Sequence, residues 1–352
     1  MVNRHFIRDY EDFPAVQTVD AGLDFIALNK QADNWLLQIE TFDPHEPFDV
    51  PEAFRAGYPT DYSGPVLDYP PYGTFEGDPG EIAELRAAYA ATLAHCDFQL
   101  GRILDVFDAN DLWEDTALIV TTDHGFLLGE HDWWSKNRMP VFDEISRIPL
   151  MVYHPEFADQ SGTRRKSLTQ SIDIMPTIME LHDHTIPEDV SGKSLIPLLA
   201  EDSPVRSTAM FGYFGAACNI TDGTHVYHRY PENLSADGLY EYTLMPTRMT
   251  SRFPISDLVG ATLTDPFKFT KGAPVMKLKP RTNEEGNPVE CQGMSFDNTK
   301  TQLYNLDTDP KQENPITDAE IEAKLVTEMI HHMKGADAPT EMYTRFNLEL
   351  DN

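Results

Sequence analysis

The chain has 352 residues, 41% of them apolar, which is enough to bury a full core as one large domain or two smaller ones. Its 27 basic and 58 acidic side chains give a formal charge of −31, which argues against nucleic acid or anionic membrane as a partner and leaves the capture of any anionic ligand to local positive groups. Such an excess of acid serves solubility or accommodates high salt, which screens the self-repulsion it creates.

The three cysteines, Cys96, Cys218 and Cys291, are odd in number and far apart, so neither a disulfide framework nor a paired-cysteine zinc site is expected. A reducing, cytoplasmic compartment is the corresponding expectation. No apolar stretch is long enough to span a bilayer, and the opening Met-Val-Asn-Arg-His-Phe-Ile-Arg reads as neither signal peptide nor anchor.

Apolar residues at Val16, Val19, Leu23, Ile26 and Ala27 predict a helix over residues 16–32 with Thr18 as its cap, followed by a short strand at 35–41. From Phe42 to Gly80 the chain is dense in Pro, Gly, Asp and Tyr and reads as a long ordered loop. The clearest helix follows, with apolar positions from Ile82 through Leu93 and Cys96 to Phe107 and the start signal Asp78-Pro79. Cys96 falls on its apolar stripe and reads as a buried small hydrophobe. The runs at 116–120 and 148–153 suit strands of a parallel sheet, and another helix opens at Asp173. Strand and helix alternate in this way up to about residue 204, an α/β layered sandwich. From about 205 the pattern changes to hairpin-like strands around Thr221-Asp-Gly223, closed by a helix near 318–334. The expected division is therefore 1–204, an α/β domain, and 205–352, a small antiparallel subdomain.

Chemistry concentrates at strand ends. Thr121-Thr-Asp-His-Gly125 follows an apolar run, placing a hard oxygen ligand and an imidazole side by side at a carboxyl-terminal edge, as for Ca²⁺, Mg²⁺, Mn²⁺ or Zn²⁺. Alone, Asp-His-Gly is also an ordinary turn. Asp43-Pro-His45-Glu-Pro47 ends the other predicted strand, and its prolines would hold the imidazole of His45 in place. Lys136, among Trp133, Trp134 and Asn137, is placed to meet a sulfate or phosphate oxygen as a point charge. His131 would support that loop or act as a general acid. The aromatic loop at 54–75 and the segment 240–249 would shape a pocket, with Arg248 either contacting substrate or forming a structural ion pair.

Asp43-Pro-His-Glu-Pro-Phe48, Thr121-Thr-Asp-His-Gly-Phe-Leu-Leu-Gly-Glu-His131 with Trp134-Ser-Lys-Asn137, then Arg147-Ile-Pro-Leu150, Asp173-Ile-Met-Pro-Thr177, Gly192-Lys-Ser-Leu195 and Leu303-Tyr-Asn-Leu-Asp-Thr-Asp-Pro310 occur in one order. In that order the chain resembles a type I sulfatase of the alkaline phosphatase superfamily. The resemblance implies an alkaline-phosphatase-like layered sandwich with a mainly parallel sheet, plus a small C-terminal antiparallel sheet with a helix. It implies sulfate ester hydrolysis with a formylglycine nucleophile and a divalent metal, usually calcium. Asp123 and His124 match two of the metal ligands, His45 the histidine that contacts the sulfate, and Lys136 the lysine that binds a sulfate oxygen. A sulfated small molecule or carbohydrate is the implied partner; the close rival is a phosphonate or phosphate ester hydrolase of the same superfamily.

The family's nucleophile arises in a Cys/Ser-x-Pro-x-Arg motif, and no such motif occurs in this sequence; nor does the opening strand that ends in an Asp-Asp pair. Formylglycine is therefore not expected in this chain, and the calcium site is expected to be incomplete. A truncated product, one half of a split enzyme with a partner chain, or a non-catalytic homologue acting in binding or assembly would each account for this. Truncation is the expectation, since a sheet without its first strand exposes unpaired backbone. Homo-oligomerisation stays open.

Overall fold

The computed structural model describes residues 3–137, 140–245, 247, 251–284, 286–288 and 299–349. The chain forms two compact units. The first comprises Met1–Thr122, Phe126–Ser135 and Pro149–Gly162, and the second Asp123–Gly125, Lys136–Ile148 and Thr163–Asn352.

The first unit is built on two helices, α1 (Pro14–Asn29) and the long α3 (Pro79–Ala109), with the single turn α2 (Glu52–Arg55) between them in sequence. Helix α1 starts at Pro14 after Phe13 rather than at Thr18. Proline is preorganised for a first helical position, and the buried Ala15 and Val16 already belong to the apolar face, so Thr18 lies inside the helix. Asp78 caps α3 as its sequence indicates, accepting from the amides of Gly80 and Glu81 while Glu81 returns to the amide of Asp78.

The buried stripe of α3 runs through Leu85, Ala88, Ala91, Thr92, His95, Gln99 and Phe107, whereas Leu93 is half exposed. Small residues at 88 and 91 let neighbouring chain approach closely, and this places a histidine and a glutamine inside. Cys96 is partly buried, and burial pushes its thiol up to about 12, in keeping with an inert side chain. Ile26, Phe107 and Leu112 form a small core with Leu23, Leu37 and Leu118 packed on it.

Residues 35–41 are not a strand: they carry no ladder assignment. Their exposure nonetheless alternates, with Leu36 exposed and Leu37 and Ile39 partly covered, which is the period of an extended segment. The short pieces β1 (Gly73–Thr74), β3 (Leu127–Leu128) and β4 (Trp133–Ser135) form one sheet in the order β1-β4-β3, and β2 (Leu118–Thr121) pairs with β5 (Leu150–Tyr153).

That last pairing is antiparallel, with Leu118 opposite Tyr153 and Thr121 opposite Leu150, where the sequence suggested parallel strands. A continuous apolar run reports burial of a strand and not its direction. Among the described residues the connection from β2 to β5 contains the short strands β3 and β4 and single helical turns but no crossover helix of the kind that joins parallel strands. Every named ladder among the described residues is antiparallel.

The second unit begins in sequence with α4 (Asp143–Ser146), α5 (Ile174–Leu181) and α6 (Ile196–Glu201). Here two of the sequence motifs form one buried clasp. The carboxylate of Asp173, fully buried, takes both terminal guanidinium nitrogens of Arg206 and also accepts from the amides of Gln170 and Lys193. Thr177 donates to the Asp173 carbonyl at 2.6 Å and receives the Leu195 amide at 2.9 Å. A Cβ on Gly192 would stand 1.9 Å from the Ile172 carbonyl oxygen, so only glycine admits this crossing.

The strands β6 (Ala209–Gly212), β7 (Cys218–Thr221), β8 (His225–Arg229) and β12 (Gln302–Asn305) form a sheet in the order β12-β8-β7-β6. Its inner face, Ile220, Tyr227 and Leu303, packs on Leu325, Met329 and Met333 of α8 (Ala319–Gly335) and on Tyr343 of α9 (Thr340–Arg345). The strands β9 (Glu241–Thr243), β10 (Thr262–Thr264) and β11 (Val275–Leu278) make a second small sheet, with the turn α7 (Ile255–Leu258) before β10. Among the described residues no helix is long and apolar enough to cross a membrane.

Candidate active site

The turn after β2 is fixed by a glycine. The amide of Gly125 donates to the Ile145 carbonyl at 2.8 Å, and a Cβ at position 125 would lie 1.8 Å from the Glu144 carbonyl oxygen. The two preceding side chains are thereby held together: Asp123 Oδ1 receives the His124 amide at 2.9 Å, and Asp123 Oδ2 lies 3.4 Å from His124 Nε2. His124 Nδ1 sits 2.9 Å from the Gly125 carbonyl oxygen. A carbonyl only accepts, so Nδ1 carries the proton and Nε2 presents its lone pair beside the carboxylate. This is how a metal-binding imidazole is usually oriented, by donating its other N–H to a backbone carbonyl. The Asp123 side chain is 80% exposed, so the pair is open to solvent.

Lys136 is only 4% exposed, an unusual state for a lysine. The backbone around it is tightly turned: Gly129, His131, Asp132, Ser135 and Asn137 all have positive φ, at 101°, 54°, 63°, 73° and 74°. Such residues persist only where their surroundings hold them. In the first unit the loop is held by Arg86, which donates to the Leu128 carbonyl at 2.8 Å and lies 5.9 Å from the Trp134 ring, and by Ser135, which donates to the Pro71 carbonyl at 2.8 Å. In the second unit the Asn137 amide donates to the Tyr213 hydroxyl at 3.3 Å, and burial raises the pKa of that phenol. His131 stands in the turn Glu130–Asp132 of this loop, partly buried.

In the first unit His45 stacks on Phe42 with ring centroids 4.2 Å apart, and its Nδ1 donates to the Glu46 carbonyl at 2.6 Å. Asp43, two residues earlier, reaches the fully buried His95 of α3 at 3.5 Å. Gln99 donates to His95 Nε2 at 3.0 Å and to the Tyr10 hydroxyl at 2.8 Å, which leaves His95 Nδ1 as the nitrogen turned to Asp43.

The structure thus brings Asp123 and His124 together in one unit, which also holds Lys136, and sets His45 and His131 in the other. Arg248 lies outside the described residues, as does Cys291. Among the described residues no group of three or more His, Cys, Asp or Glu side chains is arranged to hold a metal ion. Sequence reasoning passed over His95, Gln99, Glu46 and Tyr72. The i, i+4 pair His95/Gln99 on an otherwise apolar stripe is the signal that would have found the first two.

Residues 10–184 match the model of the sulfatase family. Over 198 residues the chain is 31% identical to the multifunctional alkaline phosphatase superfamily protein PehA of Trinickia caryophylli, covering 48% of this chain and 38% of that one. It is 28% identical over 241 residues to arylsulfatase K of Gallus gallus, covering 62% and 43%. The chain therefore spans about two fifths of the length of these relatives. The phosphonate monoester hydrolase of Agrobacterium radiobacter superposes with a TM-score of 0.57 at 19% identity, over 94% of this chain and 62% of that one, which is a likeness of fold. The fold is alkaline-phosphatase-like, and residues 10–184 carry a sulfatase-family domain.

Proposed function

We propose that this chain carries the leaving-group and metal side of a sulfate ester hydrolase, with substrates among sulfated small molecules or carbohydrates. The observation that supports it most directly is the Asp123/His124 pair. With Nδ1 committed to the Gly125 carbonyl, a carboxylate oxygen and an imidazole lone pair face each other at 3.4 Å. Two donors at right angles around a cation bound at about 2.4 Å stand about 3.4 Å apart, so the pair fits a hard divalent ion such as Ca²⁺. When bound, that ion would polarise the sulfate oxygens and offset the charge that develops on them.

The residues of the chain supply the rest of the reading. Lys136 sets a water-poor ammonium against a sulfate oxygen, where its field is strong because little solvent screens it. His45 matches the sulfate-contacting histidine of the resemblance; with Nδ1 donating to the Glu46 carbonyl, Nε2 is the nitrogen that would carry the proton given to such a ligand. His131 belongs to the turn Glu130–Asp132, which precedes Lys136 in sequence. The nucleophile motif of the family does not occur in the sequence, so the chain alone is expected to bind and not to turn over.

A phosphonate or phosphate ester hydrolase is the second reading, supported by PehA, a relative whose name marks it as multifunctional within the alkaline phosphatase superfamily. A non-catalytic binding or assembly protein is the reading from another class.

The test is a titration of the purified chain with Ca²⁺ and inorganic sulfate, alongside an aryl sulfate assay. A two-ligand site predicts Ca²⁺ affinity on the order of millimolar or weaker, abolished in Asp123→Ala. Sulfate binding should weaken about tenfold in Lys136→Ala, the equivalent of one charge-assisted contact. Aryl sulfate turnover by the purified chain would overturn the assignment of half a site, and sulfate binding indifferent to Lys136 would overturn its role.

A further inference from the structure

His45 is backed by a buried carboxylate. Glu46 is 1% exposed, and its side-chain Oε2 lies 3.5 Å from His45 Nδ1, the same nitrogen that donates to the Glu46 carbonyl at 2.6 Å. The other carboxylate oxygen, Oε1, accepts the hydroxyl of Tyr72 from the far end of the long loop. Burial, and then the bond to Glu46, raise the pKa of the Tyr72 phenol, so that hydroxyl remains a donor at ordinary pH. A permanent donor on Oε1 fixes the plane of the carboxylate and turns Oε2 toward the imidazole. Phe42 stacks on the ring.

We infer that Glu46 and Tyr72 are positioning residues for His45: together they hold the proton of the imidazole on Nδ1 and direct Nε2 outward, where it meets an anionic oxygen as the second N–H of the doubly protonated ring. The inference rests on the reading of His45 as a sulfate contact only for the identity of that ligand; the orientation of the ring follows from the geometry alone. The hydrogen bond that sets the tautomer is the one to the Glu46 carbonyl, and the carboxylate 3.5 Å away adds negative charge that favours a proton on the same nitrogen. In the doubly protonated ring the Nε2–H is the donor from which an anion can accept. Tyr72 acts at one remove, by holding Glu46.

The experiment uses the full chain with ¹⁵N-labelled histidine and long-range ¹H–¹⁵N correlation spectra, in which each tautomer has its own pattern. His45 in the parent chain should show the Nδ1–H pattern above the neutral range. In Glu46→Gln the Nε2–H form should appear, and in Tyr72→Phe it should appear to a smaller extent, with the pattern of the remote His182 unchanged in both. A parent His45 already in the Nε2–H form overturns the inference without any variant. So does a His45 pattern identical in the parent and in both folded variants.

A second arm adds inorganic sulfate in the presence of Ca²⁺. Movement of the His45 Nε2 resonance, with affinity about fivefold weaker in Glu46→Gln, supports the positioning of a sulfate contact. If sulfate moves no His45 resonance in the parent, the sulfate reading of His45 falls while the first arm still decides the roles of Glu46 and Tyr72.

Discussion

The amide of Gly125 donates to the carbonyl of Ile145 at 2.8 Å, and the space beside it is filled by the carbonyl oxygen of Glu144. The glycine of the Asp-His-Gly motif is therefore a contact residue, set where two backbone segments meet with no room for a methyl group.

Gly125→Ala should be costly for that reason. The added Cβ would fall 1.8 Å from backbone, which cannot swing aside as a side-chain tip would. Overpacking of this kind costs roughly 1–3 kcal/mol or more. A urea melt should show the loss, and the Ca²⁺ response of Asp123 and His124 should disappear with it. An unchanged midpoint would mean that the 143–146 segment yields freely.

Asp173→Asn tests the clasp. Arg206, whose side chain is 9% exposed, would keep its charge and lose its counter-ion. Removing one partner of a buried pair typically costs about 3–5 kcal/mol. The companion Arg206→Met should also destabilise, and the double variant by less than the sum of the two singles, since the second change removes the charge that the first leaves unpaired. Additive losses would contradict direct coupling.

Acid should destabilise the chain before its carboxylates titrate. Burial lowers the pKa of His332 below the usual 6.5, aided by the charges of His331 and Arg206, and burial lowers that of His154. With folded values below unfolded ones, the unfolded chain takes up protons first as pH falls, so stability is level above about pH 6.5 and declines beneath it. Asp222 and Glu341, whose pKa values are lowered by the amides of His225 and Thr224 and by Lys277 and Tyr242, against the opposing effect of burial, extend the decline at lower pH. His332→Gln should shrink the difference between unfolding midpoints measured at pH 5.5 and 7.5. The same difference in parent and variant would remove His332 from the account.

Salt should stabilise the fold. At a formal charge of −31 the folded chain repels itself, and ionic strength near 1 M shortens the screening length to about 3 Å. The thermal midpoint should climb by several degrees between low salt and 1 M NaCl or KCl, equally for both cations. A midpoint that stays level or falls would show that the acidic groups are already neutralised in pairs.

Much of this was legible in the residues. The cap Asp78-Pro79 fixed the start of α3, and the pattern around Thr221-Asp-Gly223 placed a hairpin where β7 and β8 are found. Periodicity failed at α3 in detail, because Leu93 is outside and His95 inside; hydrophobicity does not show which face small residues will let a neighbour approach. It failed at 35–41 as well, where the apolar alternation is real but a strand needs a hydrogen-bonded neighbour, which no local pattern encodes. Direction was illegible for the same reason at β2 and β5. At the candidate site, Asp123, His124, Lys136 and His45 stood out by type and position. The groups that orient them did not: Glu46 and Tyr72 are 26 residues apart, and only the folded loop joins them.

Trp133 and Trp134 are 5% and 2% exposed, and Trp134 meets Phe75 edge-on at 5.7 Å. They occupy the loop of left-handed residues that leads into Lys136, so the site carries its own chromophores. Their emission should be blue-shifted and shielded from acrylamide, and any ligand that loosens or tightens Gly129–Asn137 will register as a change in intensity. With only four tryptophans in the chain, replacing Trp35 and Trp113 by phenylalanine would leave a protein whose fluorescence reports on that one loop without a label.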